Sequence, residues 1–240
     1  MNVNNVMNDN NVMNDNSVVN DMNAKKNLRM TRKEHYQVIL NYFRKAMPVV
    51  TTELEFGSAF QLLCATMLSA QCTDKRVNLV TPALFAAYPT ANELAKATAE
   101  EVLQYVKSVS YPNSKARHLV QMAQMLVNDF NGQVPNTMEA LTKLPGVGRK
   151  TANVMLAVWF AQSAMPVDTH VFRVSHRLGL VPASANTPRK VEEQLVKHIP
   201  ASELSQAHHW LLLHGRYVCT SRAPKCVTCE LKEICKHKES

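Results

Sequence analysis

The sequence predicts an all-α protein with about ten helices, because helix signals are frequent and strand signals are not. No stretch alternates polar and apolar residues as a half-buried strand does. Gly132 and Gly179 each follow a helical run, and Thr187 precedes a Pro at a helix start. Four pairs have the spacing of a capping box, namely Thr31 and Glu34, Thr90 and Glu93, Thr98 and Glu101, and Asn136 and Glu139.

The first 27 residues differ in composition from the rest of the chain. The hexapeptide at 5–10 recurs at 11–16, and a diverged copy occupies 17–22. Asn competes with its own backbone for hydrogen bonds, and the few Val and Met residues can bury little apolar area. We therefore expect 1–27 to be a disordered tail. An amphipathic recognition helix is the alternative, which the poor helix propensity of Asn disfavours.

The remainder of the chain divides into helical stretches. A first helix is expected over 31–46, and the long helical runs between 56 and 160 form one packing unit. A further unit begins at Asp168, and the sequence alone does not assign the first helix to either unit. At 240 residues with 46% hydrophobic composition, the chain has enough material for one large domain or two modest ones.

The charge balance indicates a polyanionic partner. Lys and Arg number 27 against 19 for Asp and Glu, a net charge of +8. No stretch has the roughly 20 mostly apolar residues that cross a bilayer. The start of the chain does not resemble a secretory signal, so a reducing compartment is expected.

A Pro-Gly-x-Gly turn lies between two helical runs in the segment 141–152. Gly146 and Gly148 allow backbone geometry that a Cβ would obstruct, so that amides of the turn and of the next helix point outward at an anion. Arg149 and Lys150 follow directly and suit a phosphate. The segment therefore has the pattern of a helix-hairpin-helix; the alternative is an ordinary tight link between two helices.

Two residues near this turn suggest chemistry. Lys150 lies in the first turn of the second hairpin helix, where a phosphate contact is the simpler role. An amine attacks a sugar carbon only when neutral, which at a pKa of about 10.4 is about four molecules in ten thousand at pH 7. Partial burial would raise that fraction. Asp168 is a favoured N-cap, and it could also accept the lysine proton or stabilise a cationic sugar.

The runs LPGVGRKTAN at 144–153 and VDTHVFRV at 167–174 closely resemble the bacterial endonuclease III family, which are helix-hairpin-helix DNA glycosylases with abasic-site lyase activity. The resemblance extends over about 30–240. It implies two helical domains that flank a DNA-binding cleft, with Lys150 as the Schiff-base lysine and Asp168 as the essential aspartate. Related adenine-mismatch glycosylases lack a lysine at the position of Lys150.

Four cysteines occur within the seventeen residues 219–235, whereas Cys64 and Cys72 stand apart. Such a group in a reducing compartment indicates a metal centre. Zinc is the generic alternative, but structural zinc held by four cysteines usually uses two C-x-x-C pairs, and here there is one. The resemblance implies a structural [4Fe–4S] cluster, with Arg222 and Lys225 contacting DNA phosphate from the same loop. The expected ligands are Cys219, Cys226, Cys229 and Cys235.

The resemblance also assigns roles in base flipping. Gln71 matches the residue that fills the gap left by an extruded nucleotide. Tyr111 stands where the family usually has an aliphatic wedge, and an aromatic ring there could stack on the orphaned base. His170 is expected to orient Asp168 or to contact phosphate, and the alternative is a structural histidine whose hydrogen bonds are satisfied within the fold.

These observations predict a base excision repair enzyme, a monomer of the bacterial cytoplasm that acts on duplex DNA containing damaged bases or abasic sites. It would remove oxidised pyrimidines and cleave the strand by β-elimination. The expected domains are a six-helix barrel with the hairpin over 51–165 and a cluster domain formed by 28–50 together with 166–240. The alternatives are a non-catalytic iron–sulfur module that binds DNA or senses redox state, and a monofunctional glycosylase.

Overall fold

A computed structural model describes residues 30–237, so the predicted disordered tail lies outside the described residues. Within this range the chain forms eleven α-helices and no strands, which confirms the all-α prediction. A π-helical turn, Met155–Trp159, continues the eighth helix, and three short 3-10 turns occur nearer the C-terminus. The helices are α1 Arg32–Ala46, α2 Ala59–Leu68, α3 Asp74–Ala87, α4 Ala91–Leu94, α5 Ala99–Val106, α6 Pro112–Phe130, α7 Met138–Lys143, α8 Arg149–Val154, α9 Thr169–Arg177, α10 Pro188–His198 and α11 Leu204–Tyr217.

Three of the four predicted capping boxes are present, at the starts of α1, α4 and α5. The fourth prediction, Asn136 with Glu139, is wrong. Thr137 is the N-cap of α7, and its hydroxyl accepts a hydrogen bond from the Ala140 amide. Asn and Thr are both favoured caps, so adjacent candidates leave the register open by one residue. The Asn136 carbonyl instead accepts a bond of 2.9 Å from Gln162 Nε2.

The second hairpin helix also differs from the predicted run 151–161. It begins two residues earlier, at Arg149, and widens into the π-helical turn at Met155. The Phe160 amide donates to the Met155 carbonyl at 3.1 Å, and Ala161 has a left-handed φ of 50°. Turns of this kind frequently occur at functional sites.

The buried apolar residues form two separate clusters. The first contains core residues of 54–164 and joins α2 to α8 with the π-helical turn. The second joins α1 to α9, α10, α11 and the cysteine-containing segment that follows them. The core thus divides between Ala164 and Met165, and α1 shares its apolar core with the C-terminal helices.

Polar contacts fasten α1 to the same C-terminal helices. The Tyr36 hydroxyl donates to the Leu180 carbonyl at 2.8 Å, and Trp210 Nε1 donates to the Met47 carbonyl at the same distance. Both rings are 1% exposed, so each polar atom needs such a partner. Among the described residues, no helix has both the length and the apolar character that a membrane span requires.

Candidate functional site

The hairpin turn lies between α7 and α8. Gly146 has φ of +79°, and a Cβ built on it would come within 2.8 Å of the Cβ of His118 and 3.0 Å of the Met67 methyl group. A glycine is therefore required at this position by both backbone and packing. Gly148 is the N-cap of α8 with extended backbone, and a Cβ there would meet no atom within 4 Å. Packing within the chain does not explain Gly148, which instead borders open space.

Lys150 lies one residue into α8 and is partly buried. Burial lowers the pKa of its amine, and the nearby charges of Asp168 and Asp74 oppose that shift without cancelling it. The pKa of Lys150 is therefore below that of an ordinary lysine, and the neutral, nucleophilic form is more populated. Among the ion pairs of the described residues, none joins Lys150 to Asp168.

Asp168 is the N-cap of α9, as predicted. Its Oδ1 accepts hydrogen bonds from the amides of His170 at 2.9 Å and Val171 at 2.8 Å. Its Oδ2 lies 3.1 Å from His170 Nδ1, so His170 contacts the carboxylate. Burial opposes ionisation, but the His170 side chain and the Val171 amide outweigh it and hold the pKa of Asp168 well below its usual range. The group is a carboxylate at neutral pH.

Sequence reasoning missed an ionic network beside Lys150. Arg216 on α11 pairs with Asp74, the first residue of α3, at 3.0 Å, and it also pairs with Glu53. The Tyr217 hydroxyl donates to Glu53 Oε1 at 2.8 Å. These contacts join residues about 140 to 160 positions apart across the boundary between the two apolar clusters. Local pattern holds no signal for such a network.

His208 on α11 was also missed. It is 3% exposed, and its Nδ1 lies 2.9 Å from the Pro166 carbonyl, which makes Nδ1 the protonated nitrogen. Burial, with His209 and Lys150 nearby, holds the pKa of His208 well below the usual range. This neutral ring fixes the segment that leads into Asp168, two residues after Pro166.

Arg149 does not lie free beside the hairpin turn. Its Nε and Nη2 donate to both carboxylate oxygens of Glu192 on α10, at 2.8 and 2.7 Å. The pair joins the two apolar clusters on another part of their boundary. Its contact with a phosphate stays a prediction.

Gln71 and Tyr111, the predicted wedge residues, lie in two exposed loops, after α2 and before α6. Both have left-handed backbone, with φ of 54° and 55°. The Ser110 hydroxyl donates to the Gln71 carbonyl at 2.6 Å, which brings the two loops together. Arg222 and Lys225 are exposed on the loop between the first two clustered cysteines.

The four C-terminal cysteines line one open recess, together with His214, Leu178 and neighbouring loop residues. Arg177 at the end of α9 organises the loop that contains them. Its Nη1 donates to the Cys219 Sγ at 3.4 Å and to the Thr220 carbonyl at 2.6 Å. Its own carbonyl accepts from the Cys235 thiol at 3.2 Å. Sequence reasoning missed Arg177, which lies 42 residues before Cys219.

In the described part of the chain, no three His, Cys, Asp or Glu side chains converge closely enough to hold one metal ion. The four cysteines therefore share a recess without forming a single-ion site.

Comparison with known proteins gives consistent matches. A family model described as HhH-GPD superfamily base excision DNA repair protein matches residues 64–201. Endonuclease III of Rickettsia conorii is 47% identical over 197 residues, 82% of this chain and 93% of that protein. Endonuclease III of Escherichia coli K12 is 43% identical over 201 residues, 84% and 94% of the two chains. The solved structure of a trapped endonuclease III–DNA covalent intermediate has a TM-score of 0.82 at 41% identity, covering 86% of this chain and 97% of the other.

Proposed function

The chain belongs to the endonuclease III family within the HhH-GPD superfamily of base excision DNA repair proteins, and we propose that it excises oxidised pyrimidines and then cleaves the abasic strand. Its family makes it a DNA glycosylase that acts on damaged duplex DNA. The lyase step and the lesion class belong to the proposal. The observation that best supports it is the partly buried Lys150 amine, with its lowered pKa, near the ionised Asp168.

In the proposed reaction the neutral Lys150 amine attacks C1′ of the flipped nucleotide. The Nζ–C1′ bond forms as the glycosidic bond breaks, and the base leaves with its bonding electrons and takes up a proton. Opening of the sugar ring at C1′–O4′ converts the adduct into an imine. Loss of a C2′ proton then expels the 3′ phosphate, and hydrolysis of the imine returns the amine.

Asp168 is proposed to stabilise the positive charge that develops on the sugar as the base departs. A carboxylate with so low a pKa is a poor acceptor for the lysine proton. Its hydrogen bonds with the α9 amides and His170 also hold it in one orientation. Of the two chemical roles that the sequence left open, the electrostatic one is therefore favoured.

The DNA contacts are proposed to come from both apolar units. The hairpin would hold a phosphate beside the exposed Gly148, where nothing in the chain occupies the space a Cβ would take. The two wedge loops would enter the duplex, and the cysteine loop would contact the backbone. The proposed DNA-contacting residues are Gln71, Tyr111, Gly146, Gly148, Arg149, His170, Arg222 and Lys225.

Four cysteines are proposed to hold a [4Fe–4S] cluster: Cys219, Cys226, Cys229 and Cys235. All four cysteines line the same recess, and a [4Fe–4S] cluster is held by four cysteine thiolates that surround it. Excision of a base involves no net oxidation or reduction, so the group would supply structure by tethering the loop that contains Arg222 and Lys225.

The same proposal assigns 28–50 and 166–240 to a cluster domain and 51–165 to a hairpin-containing domain. It also assigns the protein to the bacterial cytoplasm, where it would act as a monomer.

The test is reductive trapping. Borohydride reduces an imine to a stable amine, so the protein should become covalently attached to a duplex that contains an abasic site. Lys150→Ala should abolish the attachment and leave duplex binding measurable. Lys190→Ala is the matched control, because that exposed amine has its hydrogen bond with Asn186, four residues earlier, and has no part in the proposed chemistry.

Each other outcome identifies an alternative. Undiminished trapping by Lys150→Ala contradicts the assignment of the nucleophile. Release of free base without strand cleavage would indicate a monofunctional glycosylase. Binding without any turnover on a panel of damaged duplexes would indicate the non-catalytic module.

A further inference from the structure

Two loops of the hairpin-containing unit share an unusual backbone feature. We call residues 69–73 the first wedge loop and residues 107–111 the second wedge loop. Gln71 and Tyr111 are each in the left-handed region, which is unfavourable for a residue other than glycine. Both side chains are exposed, and Tyr111 is 65% exposed. Strained backbone with outward-pointing side chains persists only where the surrounding structure holds it.

Three side-chain hydrogen bonds hold these loops. Ser110 of the second wedge loop donates from its hydroxyl to the Gln71 carbonyl at 2.6 Å. Lys115 on α6 donates from Nζ to the Leu68 carbonyl at 2.8 Å and to the Ala70 carbonyl at 2.7 Å. All three accepting carbonyls lie between the end of α2 and Gln71, so the bonds fix the backbone on which the Gln71 side chain stands.

Lys115 is an unusual residue for this task, because it is only 8% exposed. Burial lowers the pKa of its amine, and no carboxylate is paired with it among the described residues. Burying an ammonium without a counter-ion is expensive, whereas carbonyl dipoles at a helix C-terminus compensate part of that cost. The cost of burying the Lys115 amine is therefore accepted for its hydrogen bonds, which it donates at the first wedge loop.

We propose that Ser110 and Lys115 are positioning residues that join the two wedge loops into one preformed unit, so that Gln71 and Tyr111 enter the duplex together. The inference rests on the proposed function, in which these two side chains occupy the helix during base extrusion. Neither Ser110 nor Lys115 needs to touch the DNA. They act by removing the conformational freedom that the loops would otherwise lose on insertion.

The consequence is a substrate-dependent effect. Extruding a paired and stacked base costs free energy, and a preformed wedge supplies part of it. A lesion that faces no base is already unpaired, so the same wedge matters less. A residue that merely stabilises the fold would influence both substrates equally.

The experiment measures single-turnover excision of one oxidised pyrimidine in two duplexes, one with its normal partner and one with an abasic analogue opposite. Ser110→Ala should slow excision from the paired duplex about five-fold, the order expected for one hydrogen bond, and excision from the unpaired lesion by less than about two-fold. Lys115→Met should act in the same direction and more strongly. Ser110→Thr keeps the hydroxyl and should restore the rate, and Lys190→Met is the control for loss of a lysine charge.

A second readout needs no turnover. A 2-aminopurine placed opposite an uncleavable abasic analogue becomes fluorescent when a wedge unstacks it, and its rise should be slower in Ser110→Ala than in the parent. Equal slowing of both excision reactions, or an unchanged fluorescence rise, would overturn the proposal. If Lys115→Met does not fold, the comparison of Ser110→Ala with Ser110→Thr still tests the proposal. Failure of the parent to excise any oxidised pyrimidine would count against the proposed function alone, since the fluorescence readout remains.

Discussion

The amine of Lys150 and the carboxylate of Asp168 both have lowered pKa values, with opposite consequences. For the lysine, burial favours the uncharged form, which is the nucleophile. For the aspartate, hydrogen bonds from His170 and the Val171 amide favour the charged form. One group is thereby prepared to attack and the other to stabilise positive charge.

The lowered pKa of Lys150 predicts the pH dependence of trapping. The reaction requires the neutral amine, so its rate should rise with pH through the depressed pKa and level off below the ordinary lysine value of about 10.4. Asp168→Asn keeps an N-cap side chain but removes a negative charge that raises the pKa of Lys150. Its midpoint should therefore move to lower pH.

Rates of borohydride trapping on an abasic duplex, measured from pH 5 to 10 under single-turnover conditions, test this directly. A midpoint at the ordinary lysine value would contradict the effect of burial on the pKa of Lys150. A shift to higher pH in Asp168→Asn would contradict the effect assigned to the Asp168 charge.

At the scale of elements, the hairpin turn contains two glycines, each of which is explained by a different physical reason. Gly146 is required by its φ of +79° and by the close approach of His118. Gly148 has ordinary extended backbone and no neighbour within 4 Å, so the fold would accept a side chain there. One Pro-Gly-x-Gly motif contains both glycines. Only the structure shows that folding requires a glycine at Gly146 and does not require one at Gly148.

This difference predicts two distinct variants. Gly146→Ala should lower the free energy of unfolding by about 1–3 kcal/mol, because the left-handed backbone and the clash both penalise a Cβ. Gly148→Ala should change it by less than about 0.5 kcal/mol but weaken duplex binding, because the methyl group would occupy the space of the phosphate. Thermal unfolding and duplex titration at fixed salt measure the two effects. Full affinity in Gly148→Ala would remove this turn from the DNA interface.

For the whole molecule, the second apolar unit is assembled from distant parts of the chain. α1 packs with α9 to α11, and Arg177 fastens the cysteine loop to the end of α9 through its guanidinium and its carbonyl. Loss of a cofactor held by this loop should therefore lower the stability of the apolar unit to which α1 and α11 belong.

Replacement of a cluster ligand provides the corresponding prediction. Cys226→Ser should lose bound iron and the brown colour of the cluster, and its Tm should fall by several degrees, because binding free energy of the group contributes to folding. Cys72→Ser is the matched control, since that cysteine lies outside the recess. Iron analysis and thermal unfolding give the result. A stoichiometric zinc content in the parent protein would contradict the cluster.

Features that depend on near neighbours in the chain were predictable from the sequence. The caps at Thr31 and Asp168, the hairpin glycines and the four cysteines all depend on spacing within a few residues. The single misplaced cap, Asn136 for Thr137, arose where two adjacent residues satisfy the same local rule. Membership of the family followed from two such runs.

Tertiary structure alone decided which distant groups surround the reactive ones. The pairing of Arg216 with Asp74, of Arg149 with Glu192, and of Lys115 with the carbonyls after α2 joins residues 43 to 142 positions apart. Each contact depends on how helices pack, and a pattern of spacing records only which face of a helix is apolar. The sequence thus determined the reactive groups and their elements, whereas packing determined the fields and hydrogen bonds under which they act.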